Sequence, residues 1–223
     1  MPSDNETSSV FKNQTNDLLS SSYTLYLDLA NCAQDTYSGF AIIYAKFKAE
    51  VDTVILWYDG ELISTDNTLI STNGVYRMIR CKSAEHEHTL VLKFKSQLND
   101  DRQGIFAYID KGIDYMVAHC EPFGVHKIFP TVGGLRNRSY IKLYTLTYRF
   151  QQCEANGFRL REATVDEVKT MTNNNGILDL IKASLDKCAP DNLAYYKLNE
   201  FEALTNFPTH LFCLAVGNYT YYV

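Results

Sequence analysis

The chain has 223 residues, 46% of them hydrophobic and 21% charged, with a formal net charge of −5. That length fits one large domain or two small ones, and so much apolar material excludes disorder for most of the chain. The acidic balance excludes a nucleic-acid surface that works through bulk positive charge. Sixteen tyrosines and twelve phenylalanines suit pleated sheet better than helix.

In chain order, residues 1–20 are rich in Ser, Asn and Thr and predict a flexible polar tail ahead of a folded domain over 21–223. They contain no apolar run of the kind a signal peptide needs, and no stretch of about 18 apolar residues occurs anywhere. The expectation is an intracellular, cytoplasmic protein that neither spans a membrane nor binds nucleic acid. Leu25, Leu27 and Leu29 alternate with Thr24, Tyr26 and Asp28, which predicts a strand over Tyr23–Leu29. Further strands are expected at Tyr37–Lys48, Thr53–Tyr58, Val75–Cys81, Thr89–Lys95, Gly104–Ile109, Ile113–His119 and Ser139–Phe150. Turn signals separate them at Asp59-Gly60, Asn73-Gly74, Asp100-Asp101, Lys111-Gly112 and Gly133-Gly134.

Thr164-Val-Asp-Glu167 has the spacing of a capping box. After the loop Asn173–Asn175, Ile177, Leu180, Ile181, Ser184 and Leu185 share one helical face, and Pro190 stops the run. Strands resume at Ala194–Leu198 and Thr209–Val216. The pattern predicts a mainly β protein, an antiparallel sandwich or curved sheet with a small helical insertion near 164–187.

Candidate chemistry is sparse. Six cysteines occur without a Cys-x-x-Cys pair, which reads as buried, reduced thiols. His86-Glu87-His88 reads as part of a solvated, charged turn rather than a metal fragment. The helical His-Glu-x-x-His motif, the Gly-x-Ser-x-Gly elbow and the phosphate-binding glycine loops do not occur. The densest cluster of unusual residues is His119 to Pro130. It could hold a Cys120 nucleophile with His119 or His126 as base, or it could be a β-turn with a buried Phe and a capped strand.

The run Cys120-Glu-Pro-Phe-Gly-Val-His-Lys-Ile-Phe-Pro130 resembles the Gln-x-Glu-Pro-x-x-Ala-Arg-Arg-x-Phe-Pro-Cys-x-Asp-x-Pro signature in the N-terminal β-domain of the aminopeptidase N family of zinc metallopeptidases. Tyr23–Leu29 and Tyr37–Phe47 look like the opening strand pair of that domain, Gly104–Ala107 like a strand start before the signature, and Tyr144–Thr147 like the strand after it. Phe207–Tyr219 is similar to the closing strand Pro-Met-Ser-Thr-Tyr-Leu-x-Ala-x-x-Val-Gly-Asp-Phe. The resemblance implies a saddle-like antiparallel β-sandwich that covers a catalytic domain. It further implies that Glu121, with His119 beside it, helps bind the free α-amino group of a substrate, a charge-assisted hydrogen bond. Gln152-Cys-Glu-Ala-Asn-Gly-Phe-Arg159 also resembles a bacterial form of the signature, which makes Glu154 and Gln152 the alternative pair. Three departures stand out: His119 replaces the expected Gln, Thr131–Leu135 replaces Cys-x-Asp-x-Pro, and a helical segment is inserted.

The zinc ligands and general base of the family are not in this chain, so it is not expected to hydrolyse peptides by that mechanism on its own. Two expectations follow from the resemblance. The chain is a non-catalytic structural or interaction subunit with a protein partner or larger assembly. Alternatively, it is the N-terminal domain of a zinc aminopeptidase, with zinc and catalytic residues supplied by a catalytic domain elsewhere.

Overall fold

A computed structural model describes residues 14–33, 35–65, 68–98, 102–110, 113–121, 124–133, 137–172, 176–188 and 193–219. The expected turns at Asp100-Asp101 and Lys111-Gly112, the Asn173–Asn175 loop, and Pro122 and Phe123 of the signature lie outside them. So do residues 1–13 of the expected tail. From Gln14 onward that segment is tied to the domain. Gln14 Nε2 donates to Thr53 O at 2.7 Å, and its Oε1 accepts from the Ile55 amide at 2.7 Å.

The protein is mainly β and sandwich-like, as its sequence predicts. Strands run in chain order as β1 (Leu18–Ala33), β2 (Thr36–Trp57), β3 (Glu61–Thr65), β4 (Thr68–Asn73), β5 (Tyr76–Gln97), β6 (Gly104–Asp110), β7 (Ile113–His119) and β8 (Thr131–Val132). They continue as β9 (Arg138–Tyr148), β10 (Gln152–Ala155), β11 (Arg159–Thr164), β12 (Tyr196–Phe201), β13 (Leu204–Pro208) and β14 (Cys213–Gly217). The large sheet has the order β11-β12-β9-β1-β2-β5-β3, with β4, β8 and β13 attached beside it. A separate four-stranded sheet has the order β10-β14-β7-β6. All pairings are antiparallel except that of β1 with β9.

β1 is central, and alternation explains both of its neighbours. Tyr23, Leu25, Leu27 and Leu29 point into the main core between the two sheets, while Tyr26 and Ala30 point to the opposite face. That opposite face is covered by helices α1 (Val165–Thr170) and α2 (Ile177–Leu185). The capping box forms as its spacing requires: the Glu167 amide donates to Thr164 Oγ1 at 3.3 Å, and the Thr164 amide to Glu167 Oε2 at 2.7 Å. α2 buries Ile177, Ile181 and Leu185, and also Leu178, which the expected face left out.

One expectation is corrected. His86-Glu87-His88 lies inside β5, a continuous strand of 22 residues, and not in a turn. The charged run from Lys82 to Glu87 shows no apolar alternation because most of it is solvent-exposed, yet it pairs with β2. Register breaks between Lys46 and Thr53 on β2, opposite Glu87 and Arg80 on β5. β3 pairs with Leu92–Lys95 and β4 with Tyr76–Arg80, although only residues 66 and 67 separate β3 from β4. The β2–β5 ribbon is therefore folded over at this break, and the β3–β4 segment cuts across the corner. His88 staples the fold: its Nε2 sits 2.8 Å from Val51 O and 3.1 Å from Glu85 O. A buried ring nitrogen facing two carbonyl oxygens carries its proton there, which is a structural role.

Candidate functional site

The segment that follows β7 divides into an outer and an inner part. His119 and Glu121 are exposed, whereas Gly124, Val125, His126, Ile128 and Phe129 are buried. The chain reverses where the Gly124 amide donates to Cys120 O at 2.6 Å. A Cβ at Gly124 would lie 2.4 Å from His119 O and 2.9 Å from Gly104 N, so only glycine permits this approach.

The inner part locks the sheets together. Phe129 packs against Tyr23 of β1, with ring centroids 5.8 Å apart, and against Phe212 just before β14. Tyr37 donates to Ile128 O at 3.0 Å, and the Asp59 amide to His126 O at 2.8 Å. The His126 ring stacks on Trp57, with centroids 4.3 Å apart and planes inclined by 9°. This half of the signature run is a packing device, the buried-Phe reading of its sequence.

The outer part belongs to the exposed face of the four-stranded sheet. The register places His119 opposite Cys213 and Gly104, and Val117 opposite Ala215 and Phe106. Ala215 is in turn opposite Glu154, and Gly217 opposite Gln152. Leu214 and Val216 point into the core, so Cys213 and Ala215 point outward, together with His119, Val117, Glu154 and Gln152. His119 thus shares one face with Gln152 and Glu154, while Glu121 lies just beyond the end of β7, exposed. Two strand spacings, roughly 10 Å, separate β7 from β10 across it.

The two pairs differ in engagement. Arg159 holds the second: its Nη2 lies 3.8 Å from Glu154 Oε1, and its Nη1 donates to Gln152 Oε1 at 3.4 Å. Arg159 Nη1 also pairs with Glu162 Oε1 at 2.6 Å. Glu121 makes no ion pair among the described residues. His119 Nδ1 is 3.1 Å from Arg102 O.

A row of aromatic rings runs along the same face. Tyr108 and Tyr115 stack at 5.2 Å with planes 14° apart, and Phe106 and Tyr219 flank them at 6.4 and 5.3 Å. Tyr115 lies over Gly217, where a Cβ would come within 2.2 Å of its ring. Burial, with Tyr108 and Tyr115 alongside, pushes the Tyr219 hydroxyl up to about 12. The signal was legible in the alternation of Phe106 and Tyr108 along β6, but the partners on β7 and after β14 come from pairing.

The cysteine reading gains no support from the site. Burial pushes the Cys120 thiol far up, the reverse of what an attacking thiolate needs. All six cysteines are free thiols. Among the described residues no group of three His, Cys, Asp or Glu side chains could hold a metal ion. No helix among them is long and apolar enough to cross a membrane. No protein-family model matches the chain, and no curated protein matches it either.

Proposed function

We propose that the chain is a non-catalytic, aminopeptidase-N-like β-domain that acts as an intracellular structural or interaction subunit. It docks a folded protein partner through the outward face of its four-stranded sheet. The observation that carries this reading is the row Phe106–Tyr108–Tyr115–Tyr219, aromatic surface concentrated on one face with Tyr108 43% exposed. Rigid aromatic side chains contribute large contact area at small entropic cost, which suits them to anchoring a partner. The strand leading into Glu121 and the strand at Cys213 are direct neighbours and bring both segments to this face. The test is the native mass of the protein from its source, measured beside Tyr108→Ser and Tyr115→Ser. An assembly that releases the 25.5 kDa chain on substitution supports the reading, and a wild-type monomer of 25.5 kDa in native extracts overturns it.

A second reading is favoured by one difference between the candidate pairs. Glu154 is held by Arg159, while Glu121 stands exposed at a strand end. In an assembled zinc aminopeptidase, Glu121 would meet the α-ammonium of a peptide substrate, with zinc chemistry supplied by the catalytic domain. Glu121→Gln should then raise KM for peptides with a free amino terminus about tenfold or more, and an unchanged amino-terminal preference rejects the role.

A further inference from the structure

A concavity lies on the large sheet, and no residue of the four-stranded sheet lines it. It has a volume of about 620 Å³ and opens between the turn joining β2 to β3, the turn joining β4 to β5, and the end of β5. That volume falls within the range of small-molecule sites.

Its walls are fixed by two side chains, Tyr58 and Arg77. The Tyr58 hydroxyl donates to Lys95 O at 2.7 Å and lies 2.7 Å from Ser96 Oγ, tying the turn after β2 to the end of β5. Gly60 crosses directly beneath that hydroxyl, where a Cβ would approach to 2.2 Å. Arg77 ties the third wall: its Nη1 donates to Gly74 O at 2.5 Å and Tyr76 O at 3.2 Å, and its Nη2 to Gly60 O at 2.9 Å. These bonds hold the guanidinium plane in place and leave its Nε–H and one Nη2–H without a hydrogen-bond partner among the described residues.

Charge of both signs lines the cleft: Asp59 on the β2–β3 turn, Glu61 at the start of β3, Arg77 and Lys95 on β5. Asp59, Glu61 and Lys95 make no ion pair among the described residues, although Glu61 and Lys95 are opposite each other in the β3–β5 register. Burial works against the Arg77 charge and Asp59 works for it. A lone anion or a lone cation would meet attraction and repulsion together in such a cleft. A ligand bearing both an ammonium and a carboxylate can satisfy both halves.

We infer that this cleft is a binding site for a small zwitterion of the amino-acid or short-peptide class, its carboxylate directed to Arg77 and Lys95 and its ammonium to Asp59 and Glu61. The site stands apart from the proposed interaction face and does not depend on it.

The test is an amide and arginine side-chain NMR titration of the full chain with glycylglycine, beside acetate, methylammonium and glucose. The expected result is saturable movement of the Gly60 and Gly74 amides and the Arg77 Nε–H with the dipeptide, and at least tenfold weaker response to each control. Asp59→Asn and Lys95→Gln should each weaken dipeptide binding about tenfold, the loss of one charge-assisted contact. Neither Lys95 nor Asp59 donates or accepts a structural hydrogen bond through its side chain among the described residues, so both variants should keep the wild-type spectrum elsewhere. Absence of saturable shifts, equal response to acetate or glucose, or undiminished dipeptide binding in Lys95→Gln overturns the inference.

Discussion

The Phe129 ring meets Phe212 edge to face, with centroids 5.5 Å apart and planes inclined by 77°. One ring closes the turn after β7 and the other precedes β14, so this contact joins the two segments that flank the outer face of the small sheet. Phe129 is fully buried and Phe212 nearly so. Truncating such a side chain removes both transfer energy and its packing partners.

Phe129→Ala should therefore cost about 3–5 kcal/mol of folding stability. Urea unfolding monitored by circular dichroism measures it. A loss below about 1 kcal/mol would show that the turn is not the joint between the sheets.

Asp28 sits on β1 at 4% exposure and accepts hydrogen bonds from the backbone and side-chain amides of Asn31. Burial holds its carboxyl above the ordinary 3.8. The folded protein therefore binds this proton more tightly than the unfolded chain does. The resulting stability is present in acid and is lost as pH rises from the unfolded value through the raised folded one. Asp28→Asn should be the more stable protein on the neutral side of that window, by a few degrees in Tm, with the advantage shrinking toward about pH 4. Paired thermal scans across the window read this directly, and a variant less stable than wild type at pH 7 contradicts it.

Thr164 and Glu167 each satisfy a backbone amide of the other at the start of α1. Thr164→Ala should cost about 1 kcal/mol, and Thr164→Ser should recover most of it because the hydroxyl returns. Comparing urea midpoints of the two variants checks the cap. Equal loss in both would place the effect in the Thr methyl group and not in the hydrogen bond.

The strands that the sequence makes legible are those with apolar alternation or aromatic runs, such as Tyr23–Leu29 in β1 and Tyr144–Thr147 in β9. The helical insertion was equally legible, since a capping box and a helical stripe are local patterns. β11 was not: Arg159-Leu-Arg-Glu162 has no buried period because it is an edge strand, held by β12 and by the Arg159–Glu162 and Lys197–Glu162 ion pairs. The long ribbon β2–β5 was read as four short strands because its folded corner is exposed and charged. At the candidate site, Glu121 and Glu154 presented themselves as rivals along the chain. That the strand leading into Glu121 lies in one sheet with the strand holding Glu154 depends on β14 pairing with both, a pairing across dozens of residues that no local signal encodes.

The parallel pairing of β1 with β9 bears on how the chain acquires its fold. Ser21 and Ser139 meet through their hydroxyls at 2.7 Å, 118 residues apart in sequence. Strand β1, whose residues fill both cores, thus completes its ladder only after β9 has been made, and β9 in turn waits for β12 on its other side. Contacts of such separation must offset a large loop-closure entropy before they stabilise anything. During synthesis the β1–β2 hairpin emerges first with an unpaired edge and an uncovered apolar face. The parallel seam thus favours slow folding, with the N-terminal hairpin left without its neighbours until the second half of the chain arrives.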